Sequence, residues 1–336
     1  MFARAPCDRR LDDLQTPTWK AFLLESTGGN ADFVQYLQRF VGYCLTGSVR
    51  EHVIGFIHGP GGNGKSVFVE TLAFVLASYA AQAPMSTFMA GPFDRHPTEL
   101  AALHGARLVT ANETNEGGRW NEARLKSLSG GDRVTARFLY GNFFEFSPQC
   151  KLCLVGNHKP QLANVDEAIR RRLHLIPFII RPPQPDPELP AKLREEGAAI
   201  LAWMIEGCLD WHRDGLAPPA VVRAATEEYF SDEDALGRWL AEECDEQPNV
   251  SQTTVDLFAC WSEWCGERGE DRGSIRRFAQ SLINRGFKRW RDPKTRRHGF
   301  AGVQARPAPW VLEPVPSMPQ MQSKPVLAML PAGRPV

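Results

Sequence analysis

Eight consecutive residues, Gly59-Pro60-Gly61-Gly62-Asn63-Gly64-Lys65-Ser66, constrain this chain more than any other feature. They fit G-x-x-x-x-G-K-[ST], a pattern with physical content only between a strand and a helix. An apolar run from Val53 to His58 precedes it, and a helix-like stretch from Val67 to Tyr79 follows. In that setting the glycines let backbone N–H groups curl around a β-phosphate, and the helix N-terminus adds positive potential. Lys65 is expected to reach β- and γ-oxygens and Ser66 to ligate Mg²⁺. Gly59, Pro60, Gly61, Gly62, Asn63, Gly64, Lys65 and Ser66 are therefore the expected nucleotide-binding set.

Further short apolar runs, Arg107 to Ala111, Lys151 to Gly156 and Leu173 to Phe178, alternate with helical segments. This texture predicts a parallel sheet with helical crossovers, hence an α/β fold. Ligands bind at the carboxyl edge of such a sheet. Glu113, just past the second run, is expected there to hold the metal and polarise the attacking water. Glu116 is either a second such carboxylate or an ordinary loop acid. The third run ends in Asn157, whose amide can bond both γ-phosphate and water; the alternative is a turn-forming residue before Lys159-Pro160. Arg170, Arg171 and Arg172 precede the last strand. They are either a solvated surface or a source of positive charge for a neighbouring subunit's γ-phosphate, which implies a ring.

At 336 residues, with 43% hydrophobic and 23% charged side chains, the chain has the make-up of two or three globular domains. Basic and acidic residues balance at 39 each, but unevenly along the chain. Glu227 to Glu246 carries nine acidic residues and one basic; Arg272 to Arg297 carries ten basic and one acidic. The basic block points to a polyanion, against the plainer reading of a solvated face. The eight cysteines show no disulfide framework, and Cys150 and Cys153 lack the second pair a metal site needs. No long apolar run or signal-peptide core is present, so a cytoplasmic protein, off the membrane, is expected.

Five regions are expected. Residues 1–50 form a helical lead-in, with Phe33, Tyr36, Leu37, Phe40, Val41 and Cys44 on one face. Residues 51–182 form the phosphate-binding core, closed by the proline-rich stretch Arg181 to Pro187. Residues 183–248 are a helical connector, with helices over Leu193 to Leu209 and from Pro218-Pro219 onward. In 249–305, Val255, Phe258, Trp261 and Trp264 mark one helix, Ser274 caps a second, Gly286 stops it, and a basic hairpin follows. Helix, helix, hairpin is the outline of a winged helix. Residues 306–336 read as a disordered proline-rich tail.

The order of phosphate loop, Glu-ending strand, Asn-ending strand and arginine cluster resembles the superfamily 3 helicases, an AAA+-like P-loop ATPase group of viruses and plasmids. Asn121-Glu-Ala-Arg-Leu-Lys126-Ser-Leu-Ser-Gly-Gly-Asp132-Arg-Val-Thr-Ala-Arg137-Phe-Leu-Tyr140 and Asp166-Glu-Ala-Ile-Arg-Arg-Arg172-Leu-His-Leu-Ile-Pro-Phe178 look like the helicase portion of phage and plasmid primases and poxvirus-type primase-helicases. The resemblance spans roughly residues 10 to 305. It implies a homo-hexameric ring that hydrolyses ATP with Mg²⁺ and draws single-stranded DNA through its centre to unwind forked duplex.

By the same resemblance, Glu113, Asn157, Arg171 and Arg172 are catalytic, and the segment Arg133 to Phe146 is a DNA-gripping hairpin. Lys126, Arg133, Arg137 and Tyr140 become the expected single-strand contacts, in a basic and aromatic stretch of the kind such grooves use. Gly141-Asn142 stands where relatives commonly carry a basic tip residue. Arg276, Arg277, Lys288, Arg289 and Arg296 of the basic block are the expected duplex contacts. Relatives carry a primase domain ahead of this region, for which 50 helical residues leave no room, so the expectation is either a separate primase as partner or a truncated mobile-element remnant whose ATPase core survives. The competing function is an ATP-gated origin-recognition or loading factor. A small-molecule kinase leaves hairpin and winged helix unexplained.

Overall fold

The computed structural model describes residues 15–91, 97–112, 117–162 and 165–306, so Glu113, Glu116 and the expected tail from 307 onward lie outside the described residues. The chain divides into two compact units, Met1–Arg238 and Trp239–Val336.

The first unit opens with two helices. α1 (Pro17–Ser26) carries proline at its first position, where no donor is lost. α2 (Ala31–Tyr43) is capped by Asn30, whose side chain accepts from the Phe33 N–H at 3.0 Å. The apolar face expected on α2 is buried, from Phe33 through Val41. β1 (Ile54–His58) is buried at every position, as a strand covered on both faces must be. α3 (Lys65–Leu76) returns the chain to β2 (Ala80–Gln82), and α4 (Pro97–Ala101) leads to β3 (Leu108–Asn112). α5 (Glu122–Gly130) starts on an Asn121 cap and ends at Gly131 in the left-handed region.

Then come the antiparallel hairpin of β4 (Val134–Arg137) and β5 (Phe143–Phe146), followed by β6 (Lys151–Gly156). The short α6 (Glu167–Arg170), capped by Asp166, delivers β7 (Leu173–Pro177). Five strands form one parallel sheet in the order β2-β3-β6-β1-β7. The four expected strands are present with ends shifted by at most one residue; β2 was not anticipated.

One helix expected over Leu193 to Leu209 is two, α7 (Leu189–Glu195) and α8 (Gly197–Asp214). The break falls at Glu196, whose carboxylate accepts the N–H groups of Thr18 and Trp19 at 2.9 and 3.0 Å, serving the open end of α1. α9 (Ala220–Glu233) covers the outer edge of the sheet, where the Thr226 hydroxyl accepts the Leu175 N–H. α2, α3 and α8 enclose one core face, with Cys153 inward, and the hairpin and α9 close the other, where Cys150 lies. Lead-in, core and most of the connector thus share one unit. α10 (Ala235–Glu243) contains the division.

The second unit has a two-stranded pair, β8 (Cys244–Asp245) with the terminal β12 (Gln304–Ala305). Between them lie β9 (Ser251–Thr253), α11 (Thr254–Arg268), α12 (Ile275–Asn284), β10 (Lys288–Arg291) and β11 (His298–Ala301). β10, β11 and β9 form an antiparallel sheet in that order. Ser274 caps α12 by accepting from the Arg277 N–H at 3.2 Å. Trp239, Trp261, Trp264 and Phe278 are buried, with stacked and edge-on ring contacts of 5.4 to 6.0 Å. No helix among the described residues is long and apolar enough to cross a membrane.

Candidate nucleotide site and nucleic-acid surface

The Gly59–Ser66 loop leaves β1 at the carboxyl edge of the sheet and turns directly into α3. Gly59 has φ +151°, and a Cβ there would overlap the carbonyl of Phe178, so only glycine fits. Gly64, at φ +84°, is the N-cap of α3; no side chain caps the helix, and its positive end faces the loop. Lys65 is only 6% exposed. Its ammonium donates to the carbonyls of Gly59 and Pro60 at 2.7 and 3.0 Å and to Oδ1 of Asn63 at 2.9 Å. Burial lowers its pKa from the ordinary lysine value. Asn63, itself buried, passes its amide on to the Phe178 carbonyl. Ser66 is exposed on the first turn. A buried ammonium resting on weak carbonyl acceptors beside an uncapped helix end suits a polyphosphate, which offers both better acceptors.

Strand register brings the other edge residues level with the loop. His58 pairs with Gly156, so Asn157 stands beside Gly59 and is exposed. β3 ends at Asn112, opposite Val155. The Asn112 Oδ1 is shielded from solvent without a hydrogen-bond partner. His58 went unnoticed in the sequence. It is buried, its Nε2 has no partner, and burial, with the Lys159 and Lys65 charges, pushes its pKa down to about 4. The available signal was a polar residue ending an otherwise apolar run directly before the loop.

The three arginines differ. Arg170 pairs with Glu227 at 2.9 Å and lies over the Phe230 ring at 5.1 Å. Arg172 is buried, donates to the Ala168 carbonyl at 2.7 Å, and has its pKa lowered by burial and by Arg171. Arg171 is exposed. Lys126, expected to contact DNA, is ion-paired with Asp166, the cap of α6. Burial alone would raise the Asp166 pKa, but the Lys126 hydrogen bond and the Ile169 N–H hold it below the usual carboxylate range.

The β4–β5 hairpin projects its tip into solvent. Tyr140 is 99% exposed and sits at φ +58°, a costly conformation for a tyrosine. Phe138, Leu139 and Phe143 are also exposed, whereas Phe146 is buried. Arg137 lies 5.0 Å over the Phe143 ring, and Arg133 reaches Glu145 across the strands at 3.7 Å. In the second unit Arg276, Arg277, Lys288, Arg289 and Arg296 are all exposed, with Arg277 3.5 Å from Asp271.

Residues 57–172 match a family described only as a family of unknown function, DUF5906. The chain is 26% identical over 261 residues to "Putative helicase L207/L206" of Acanthamoeba polyphaga mimivirus, covering 68% of this chain and 26% of that protein. It is 25% identical over 269 residues to "Putative helicase 022R" of Frog virus 3 (isolate Goorha), covering 72% of this chain and 27% of that protein. The chain therefore spans about a quarter of the length of these relatives. Among solved structures it is similar to the apo A form of the NrS-1 C-terminal region, with a TM-score of 0.54, 13% identity, and coverage of 90% of this chain and 79% of that one. At that identity the likeness is one of fold.

Proposed function

We propose that this chain is an ATP-dependent DNA helicase module of the superfamily 3 kind, in the replication system of a phage, prophage or plasmid. The observation that carries the reading is Lys65: a buried ammonium held on its own loop's carbonyls, at the junction of a central parallel strand with an uncapped helix. Sequence similarity to two viral proteins named as helicases supports the choice among nucleotide-binding functions.

Bound ATP and Mg²⁺ would supply the phosphoryl electrophile and its neutralising charge. The chain's part is positional and electrostatic. Lys65 exchanges its loop acceptors for phosphate oxygens, the N–H groups of the Gly59–Ser66 loop cradle them, and the Ser66 hydroxyl serves the metal. Glu113 orients and polarises the attacking water, Asn157 holds it from the adjacent strand, and Arg171 reaches the neighbouring subunit's site in a hexameric ring. The β4–β5 hairpin grips single-stranded DNA through Arg137 and Tyr140. The second unit acts as a winged helix on duplex DNA.

The exposed basic residues of the second unit favour a second reading, an ATP-gated DNA-binding or loading factor. Steady-state ATP hydrolysis with and without single-stranded DNA, paired with strand displacement from a forked duplex, separates the two. DNA-stimulated hydrolysis and fork opening that needs hydrolysable ATP support the helicase. Hydrolysis with a closed fork favours the gated factor. Hydrolysis that persists in Lys65→Ala removes the basis of both.

A further inference from the structure

Arg39, on α2, is only 8% exposed. Its Nη2 donates to the Ala217 carbonyl at 3.5 Å, the outer limit of a hydrogen bond, and its Nε is shielded from water without any partner. Asp214 lies close enough to feel its charge, but that carboxylate is bonded to Arg213 at 2.9 Å. A guanidinium taken out of water with no ion pair of its own among the described residues is costly, so something must repay it.

The same side chain lines a cavity of about 320 Å³, bounded also by Asp32, Gln35, Ala217, Pro219 and Arg223. α9 begins at its wall. The N-cap of α9 is Pro219, no side chain caps the helix, and its first turn holds no acidic residue. Its positive end is therefore uncompensated. Ala217, which enters this wall, is held at φ +43°, a left-handed conformation alanine adopts only under constraint. Three positive features of separate origin thus converge: the buried Arg39, the exposed Arg223 and the open end of α9. Arg223 also donates to the Pro218 carbonyl at 2.7 Å, which steadies it there. Against them stands one cavity carboxylate, Asp32, which is exposed.

We propose that this cavity binds a phosphate group, free or as a small phosphate ester. A tetrahedral dianion can accept from both guanidinium groups and from the helix N–H groups at once. A lone carboxylate would serve Arg39 and leave the other donors unmatched. The cavity is separate from the nucleotide site. Phe33 of α2 packs on Phe178, past the end of β7, whereas Tyr36 bonds His174 near its start. α2 therefore runs antiparallel to β7, and Arg39, a turn beyond Tyr36, lies toward the edge of the sheet away from the phosphate loop.

The test uses the Lys65→Ala protein, so that the phosphate loop does not contribute. Thermal unfolding is followed in a low-anion buffer against inorganic phosphate and, separately, glycerol phosphate. A saturable rise in Tm is expected. Arg223→Gln should raise the half-saturating concentration about tenfold, the loss of one charge-assisted contact. Arg39→Met should abolish the rise while leaving the phosphate-free Tm unchanged or higher, because an unpaired buried charge is gone. Equal responses to the two ligands assign an ester-tolerant site, and a response to inorganic phosphate alone assigns free phosphate. If Arg39→Met does not fold, the Arg223→Gln titration decides, since Arg223 is exposed. No saturable rise, or an equal one in the variants, overturns the proposal. Stabilisation by a single-stranded oligonucleotide but not by phosphate overturns it too, in favour of a nucleic-acid track.

Discussion

Oδ1 of Asn63 accepts from the Lys65 ammonium at 2.9 Å while the same side chain's amide donates to the Phe178 carbonyl beyond β7. One residue thus ties the loop's charge to the end of a core strand. Asn63→Ala removes both links and leaves a buried carbonyl and an under-partnered ammonium. Each such orphan costs about 1–3 kcal/mol, so the urea midpoint should fall clearly. Nucleotide affinity should weaken by about tenfold as the loop loosens. A variant with an unchanged midpoint would show that the tie carries no stability.

Two histidines make stability depend on acid. Burial, with the Lys159 and Lys65 charges, holds His58 at about 4, and burial does the same to His174, whose Nδ1 lies 2.8 Å from the Tyr36 hydroxyl. Unfolded histidine titrates near 6.5. Between these values the unfolded chain binds more protons, so stability is complete above pH 6.5 and is lost as pH falls toward 4. The loss reaches at most about 3 kcal/mol for His58 and less for the partly exposed His174. Urea melts at pH 7 and pH 5 should differ, and His174→Gln should flatten the difference. Identical midpoints at the two pH values would count against neutral burial.

What could be read from residues alone, and what could not, follows physical lines. β6 runs from Lys151 to Gly156, the expected span, because an apolar run closed by glycine and a turn leaves no other reading. β2 was invisible: Ala80-Ala81-Gln82 has no β-branched or aromatic residue, and only pairing with β3 makes it a strand. The break at Glu196 depends on a partner 178 residues away, Thr18. The loop motif named eight residues but not the folded-back posture of Lys65. The sequence offers Lys126 as a DNA contact and gives no sign of its ion pair, because the Asp166 cap of α6 lies 40 residues on. Arg39 gave no signal, since one arginine in an amphipathic helix is ordinary until its surroundings are known.

Arg171 and Arg172 should separate by experiment. Arg172 is buried and bonded to the Ala168 carbonyl, so Arg172→Ala should cost about 1–3 kcal/mol of stability. Arg171 is exposed, and Arg171→Ala should stay within about 0.5 kcal/mol. If Arg171 serves a neighbour's site, Arg171→Ala and Lys65→Ala proteins should each be inactive and regain part of the ATPase rate when mixed. A mixture as inactive as its parts would take that role from Arg171.

Tyr140 offers the sharpest split between folding and binding. Its ring is 99% exposed and its backbone sits at φ +58°, so the folded chain gains no packing from it and bears its strain. Tyr140→Gly relieves about 1 kcal/mol of left-handed strain, partly offset by glycine's greater freedom when unfolded. Stability should therefore stay level or rise. If the ring stacks on a base, the same change costs about 1–3 kcal/mol of single-strand affinity, while Tyr140→Trp preserves it. Fluorescence anisotropy with a labelled oligonucleotide reads the second quantity and urea unfolding the first. Wild-type affinity in Tyr140→Gly would show that the exposed ring serves something other than DNA.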